Sequence, residues 1–231
     1  MMLQLNTKRK PIKLMETVFD ALYLATVLIS AVLLFLSAEI GSERWQFGLM
    51  ALILGVGDAF HLVPRIMAMW DSKPRDYTVA IGIGKLLASV TMTVFYLILW
   101  GVGMMHYADI ISVHMTSVVF TLAALRIVLC LFPQNGWISE TPSLKWAIWR
   151  NIPFFSLGMI VMTLFAAGSF TKGGELSVLW LAILISFACY LPVVLLARRT
   201  PGIGMLMLPK SCAYAAIVLM GFSLPGISPF L

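Results

Sequence analysis

Apolar stretches long enough to cross a bilayer recur along this chain, and no other feature narrows its possible folds as much. About 20 apolar residues span the hydrocarbon layer as a helix. Windows of that kind run near residues 16–38, 45–70, 78–104, 108–132, 150–170, 176–197 and 204–225. In lipid each segment must satisfy its own backbone hydrogen bonds, so these windows read as helices. The expected fold is therefore all-α: a polytopic, seven-transmembrane-helix bundle forming one domain over 16–231, preceded by a basic tail over 1–15. Composition agrees. Hydrophobic residues make up 61% of the 231 and charged residues 11%, whereas soluble domains hold about 45–50% apolar residues.

Short polar breaks separate the windows: Glu39–Arg44, Asp71–Asp76, Met105-His106-Tyr107, Pro133–Gly136, Thr171–Gly174 and Arg198–Gly202. The break between the third and fourth windows is the least marked. Lys8-Arg9-Lys10 precede an apolar stretch too long for the core of a cleavable signal and lacking a small-residue cleavage site, so the first span is expected to be retained.

Orientation follows from the basic residues near span ends. Lys8, Arg9, Lys10 and Lys13, then Lys73 and Arg75, Lys145 and Arg150, and Arg198 and Arg199 fall on one side, against Arg44 and Lys172 on the other. The N-terminus is thus expected in the cytoplasm and the C-terminus outside, in a multi-pass protein of the cell membrane, the inner membrane of a bacterium. The net charge of +6 is spread over these loops instead of gathered in one patch, which argues against a nucleic-acid partner. Membrane lipids are the expected surroundings, and oligomeric state is left open.

Trp45, Trp70, Trp100, Trp146 and Trp149 fall near predicted interfaces. The glycine pairs Gly55/Gly57, Gly82/Gly84 and Gly101/Gly103 would let helices approach closely. Cys130, Cys189 and Cys212 lie in apolar surroundings without metal or disulfide spacing and read as small buried hydrophobes.

Against this background one stretch stands out. Gly55-Val-Gly-Asp-Ala-Phe-His-Leu-Val-Pro-Arg65 lies within the second window and sets Asp58, His61 and Arg65 on one helix face. Each ionisable group inside a span costs roughly 2.5–3.5 kcal/mol on insertion scales, so three together imply a polar interior or a water-filled cavity. Measured from the same end of the bundle at about 1.5 Å per residue, Asp20, Arg65, Arg126 and Lys210 come about 8–10 Å deep, Lys85 and His61 about 12–14 Å, and Asp58 about 18 Å. The expectation is a funnel open to the cytoplasm, basic at its rim and floored by a carboxylate. The competing reading makes Arg65, Arg126 and Lys210 interfacial anchors and Lys85 with Asp58 a structural ion pair.

Asp58 and His61 share the spacing of two metal ligands on one helical turn, but His106 and His114 lie toward the opposite end, so no metal is expected. No cofactor is expected either: neither Lys85 nor Lys210 sits mid-span in the last helix beside an acid, as a Schiff-base chromophore requires. Ser89 is the candidate by depth for a triad with His61, without a nucleophile-elbow sequence around it.

Gly57-Asp58-Ala59, Leu62 and Pro64-Arg65 resemble a segment of the lysoplasmalogenase-like family of multi-span membrane proteins, and Ile81-Gly82 with Tyr96 is similar in outline to the span that follows it. The chain differs from that pattern in having no histidine at 89–91 and no Asp or Glu in its last three spans. The resemblance implies hydrolysis of the vinyl-ether bond of ether lysophospholipids. In that reading Asp58 is the acid, His61 relays protons or orients water, and Arg65 and Lys85 hold the phosphate. Arg126 and Lys210 add positive potential at the entrance, with Asp20, Tyr23 and Tyr96 as further substrate contacts. Two other classes stay open: a carrier for a small anionic solute using the same cluster, and a scaffold or sensor whose charges serve packing alone.

Overall fold

The computed structural model describes residues 10–73, 75–110, 113–139, 141–197 and 200–227. Among them are seven long helices: α1 Lys10–Leu36, α2 Glu43–Trp70, α3 Thr78–His106, α4 Val113–Leu131, α5 Leu144–Lys172, α6 Leu179–Leu196 and α7 Met207–Met220. Short 3-10 turns occupy Ala108–Ile110, Pro133–Asn135, Pro201–Leu206 and Gly221–Ser223. With its leading 3-10 turn, the seventh span covers Gly202–Ser223, so seven segments are long and apolar enough to cross a membrane. No strand occurs among the described residues.

Helix ends follow local chemistry. Ser42 caps α2 by accepting from the Trp45 N–H at 3.2 Å, with Glu43 in the first turn, and Ser143 caps α5 through the Trp146 N–H. Pro64, Pro153 and Pro192 lie inside helices that continue past them. Pro209 interrupts nothing, because it falls in the first turn of α7, where backbone N–H groups lack intrahelical partners.

Some boundaries differ from the expected ones. α1 starts at Lys10, within the segment read as tail, because the amphipathic sequence Lys10–Glu16 continues the helical stripe; the rest of that tail, 1–9, lies outside the described residues, as do Arg198 and Arg199. The fourth span begins as a helix at Val113 instead of 108, since Tyr107 and the 3-10 turn complete the reversal after α3.

Each helix packs against its sequence neighbours, α7 closes the ring against α1, and α3 also touches α5 across the middle. The α2–α3 interface is the most extensive. A Cβ on Gly57 would overlap the Thr91 side chain, and one on Gly84 would overlap the Phe60 carbonyl, so glycine is what allows these two backbones to meet. At the centre, Phe95, Tyr96, Phe154, Phe187 and Tyr214 form an aromatic cluster with ring centroids 5.2–5.7 Å apart. Two expectations are corrected here. Trp100 is buried in the core instead of presenting its ring to the surroundings of the bundle. Cys130 alone is fully buried; Cys189 is half-buried and Cys212 exposed on the outside of α7.

Candidate functional site

All seven helices contribute to one cavity of about 720 Å³ at the end of the bundle where α1 begins. Ile12, Met15 and Met205, all exposed, form part of its mouth. Seven of the nine residues picked out in the sequence line it: Asp20, Asp58, His61, Arg65, Lys85, Arg126 and Lys210. Tyr23 and Tyr96 do not line it. Tyr23 stands behind Asp58, and Tyr96 lies in the aromatic core with its hydroxyl 3.4 Å from that of Tyr214, which does face the cavity.

The acidic pole is set by the close fit of α2 on α3, which fixes the turn carrying Asp58 and His61 directly beside Gly57 and Phe60. Tyr23 donates to Asp58 Oδ2 at 2.7 Å. His61 Nδ1 is 4.0 Å from Asp58 Oδ1 and makes no hydrogen bond among the described residues. Both side chains keep a little exposure, 17% for Asp58 and 20% for His61, enough to meet a ligand in the cavity. Nearer the mouth Arg65 is paired with Glu16 at 3.0 Å. The Lys13 ammonium donates to the Met69 carbonyl and the Trp70 indole to Thr17, fastening α1 to α2 at the rim.

Opposite lies a basic pole with neutral partners. Arg126 is 2% exposed; its Nε donates to Thr93 Oγ1 at 2.9 Å, and one terminal nitrogen donates to Asn151 Oδ1 at 3.1 Å and the Arg150 carbonyl at 3.2 Å. The guanidinium lies 3.6 Å from the centroid of the Phe154 ring, a cation–π contact. Asn151 Oδ1 also accepts from Tyr190, so one amide oxygen holds two donors. Arg150 donates to Asn135 and lies over Trp137 at 4.2 Å. Lys210 stands 5.0–5.2 Å from the rings of Tyr214 and Tyr190. Apolar side chains complete the wall, among them Phe19, Leu62, Met92, Met207 and Leu208.

The Lys85–Asp58 ion pair of the competing reading is not formed: among the described residues the two make no salt bridge, and Lys85 lines the cavity along with Arg65 and Arg150. Ser89 lines the cavity, but its hydroxyl donates back to the Lys85 carbonyl at 2.9 Å. No group of three His, Cys, Asp or Glu side chains suited to a metal gathers among the described residues.

Beyond the spans, the α2–α3 connection is pinned by Asp71. Its carboxylate accepts from the Lys73 N–H and the Tyr77 hydroxyl, each at 2.8 Å, with Arg75 at 3.6 Å. The backbone bond from Lys73 and then the Tyr77 bond hold this carboxyl below its ordinary range, and the same Tyr77 bond pushes the phenol up.

Sequence reasoning passed over Arg150, Asn151, Tyr190 and Tyr214. Arg150 was absorbed into the count of topological charges, although it is adjacent to a polar residue inside a span. Tyr214 sits one helical turn after Lys210, a spacing that places both on one face.

Seven apolar helices around a polar cavity define an integral, multi-pass membrane protein. No family model, curated protein or solved structure matches the chain.

Proposed function

We propose that the cavity binds a single-chain anionic amphiphile drawn from the cytoplasmic leaflet and hydrolyses its vinyl-ether bond by acid–base chemistry. The observation that carries this reading is that the Asp58–His61 pair, the basic side chains and an apolar wall all line one cavity. The local resemblance of Gly57–Arg65 to lysoplasmalogenase-like proteins points to the same chemistry, and the surplus of basic residues at this end of the spans supports a cytoplasmic mouth.

The step needs few parts. Asp58 delivers a proton to the outer carbon of the vinyl ether, leaving an oxocarbenium ion. Water adds to the carbon bearing oxygen, and His61 takes the water's proton. The hemiacetal then collapses to a fatty aldehyde and the glycerophospho head group, and His61 passes its proton back to Asp58. Tyr23 orients the carboxyl through its hydrogen bond.

Purified protein in detergent, given an alkenyl lysophospholipid and a dehydrogenase that reports aldehyde, tests the reading. The expected result is turnover that disappears in Asp58→Asn while the variant still unfolds in a cooperative thermal transition. Turnover absent from the native chain, or kept by that variant, overturns it.

A second reading, a carrier, is favoured by one feature: the 3-10 turn Pro201–Leu206 supplies Gly202, Gly204 and Met205 to the cavity, so the seventh span reaches the site in a change of helix type. Gradient-driven uptake of an anionic solute into proteoliposomes, without aldehyde release, selects it.

A further inference from the structure

The cations of the cavity are not equivalent. Arg65 has a carboxylate partner in Glu16 at 3.0 Å. Arg126 and Lys210 have none within salt-bridge distance among the described residues; both are held by aromatic rings and, for Arg126, by neutral oxygens. Burial of a charge without a counter-charge is costly. We infer that Arg126 and Lys210 form a phosphomonoester subsite in the cavity, the ligand's oxyanion being the counter-charge that the fold omits.

Geometry supplies the focus. Lys210 lies over the Tyr190 ring, and the Tyr190 hydroxyl donates to the same Asn151 oxygen that receives Arg126. The two cations therefore converge on one tyrosine. Arg126 offers a terminal nitrogen with no hydrogen bond among the described residues, since the bonds it makes to them involve Nε and the other terminal nitrogen. Its guanidinium is fixed in place by Phe154 and Thr93, so little freedom is lost when an anion docks.

Charge selects the ligand. Among the described residues five basic side chains line the cavity, Arg65, Lys85, Arg126, Arg150 and Lys210, against three acidic ones, Glu16, Asp20 and Asp58, so basic groups outnumber acidic ones there. A phosphomonoester carries close to two negative charges near neutral pH, whereas a zwitterionic phosphodiester head group carries none net and brings a cation into a basic pole. The apolar wall accepts one acyl or alkenyl chain. The head group so defined deepens the preceding proposal by naming its substrate class, yet binding stands whether or not the bond is cut.

The test is equilibrium binding to the full chain in nanodiscs, with lysophosphatidic acid, lysophosphatidylcholine and inorganic phosphate as probes. Lysophosphatidic acid is expected to bind at least tenfold more tightly than lysophosphatidylcholine, with the difference shrinking as salt rises. Lys210→Gln and Arg126→Lys are each expected to weaken it tenfold or more, and Arg65→Lys less than threefold. Inorganic phosphate competing at comparable concentration identifies a free anion as the ligand, and competition by the lipid alone identifies a head group; either supports the subsite. Equal affinity for the two lipids, or a Lys210→Gln protein that binds as the native one does, overturns it. Loss of turnover in Asp58→Asn with this binding intact leaves the subsite standing, so the two proposals fail separately.

Discussion

Tyr23 of α1 donates a 2.7 Å hydrogen bond to Asp58 of α2, and the other oxygen of that carboxylate faces His61 Nδ1 at 4.0 Å. The phenol thus decides which oxygen stays available to the cavity. Tyr23→Phe removes the donor and keeps the ring. A hydrogen bond to a charged group contributes about 1.5–3 kcal/mol, so a lower thermal transition in detergent is expected, together with slower aldehyde release. An unchanged transition and rate would show that the bond holds nothing in place.

The α2–α3 contact makes a second prediction. Gly57→Ala sets a methyl group against the Thr91 side chain, and Gly84→Ala sets one against the Phe60 backbone carbonyl. Overpacking costs about 1–3 kcal/mol. Backbone yields less than a side chain, so Gly84→Ala should be the more damaging of the two in a thermal-stability series, and equal transitions for both would contradict the close approach.

Asn151→Leu probes the buried polar cluster. The amide oxygen serves Arg126 and Tyr190 together, and its loss leaves two donors short of an acceptor at about 1–3 kcal/mol each. Tyr190→Phe alone removes only one of those bonds. The expected order of stability is native, Tyr190→Phe, then Asn151→Leu, read from unfolding in a graded detergent or denaturant series.

Acid should loosen the α2–α3 connection. The Asp71 carboxyl is held below its ordinary range by the Lys73 N–H, then by Tyr77. Its stabilising contribution is therefore complete above the unfolded value, about 3.9, and is lost as pH falls through the lower folded value. Hydrogen exchange at the Lys73 amide, corrected for intrinsic rates, is expected to accelerate below about pH 4 in the native chain and to be fast at every pH in Asp71→Ala. Exchange in the native chain that stays flat through that range would exclude the role given to Asp71.

Much of this architecture was legible in sequence because the bilayer demands so much of a span: length and apolarity alone located seven helices, and helical rise alone brought Asp58, His61, Lys85, Arg126 and Lys210 to the same end of the bundle. Pairings were less legible. Depth says nothing of azimuth, so a Lys85–Asp58 ion pair stays open as the competing reading of the sequence, and among the described residues it does not form. The partner of Arg65 is Glu16, a residue at the mouth of another helix. Tyr96, named through the resemblance alone, does not line the cavity: its hydroxyl meets that of Tyr214 and its ring packs on Phe154 and Phe187 in the aromatic core.

The ring of helices is completed only where the last meets the first. During synthesis six spans are therefore in the membrane before Lys210 and Tyr214 arrive to wall off the carboxylate of Asp58. Until then the cavity lacks the wall that Lys210 and Tyr214 give it, so the pocket around that acid is the last part of the bundle to be finished.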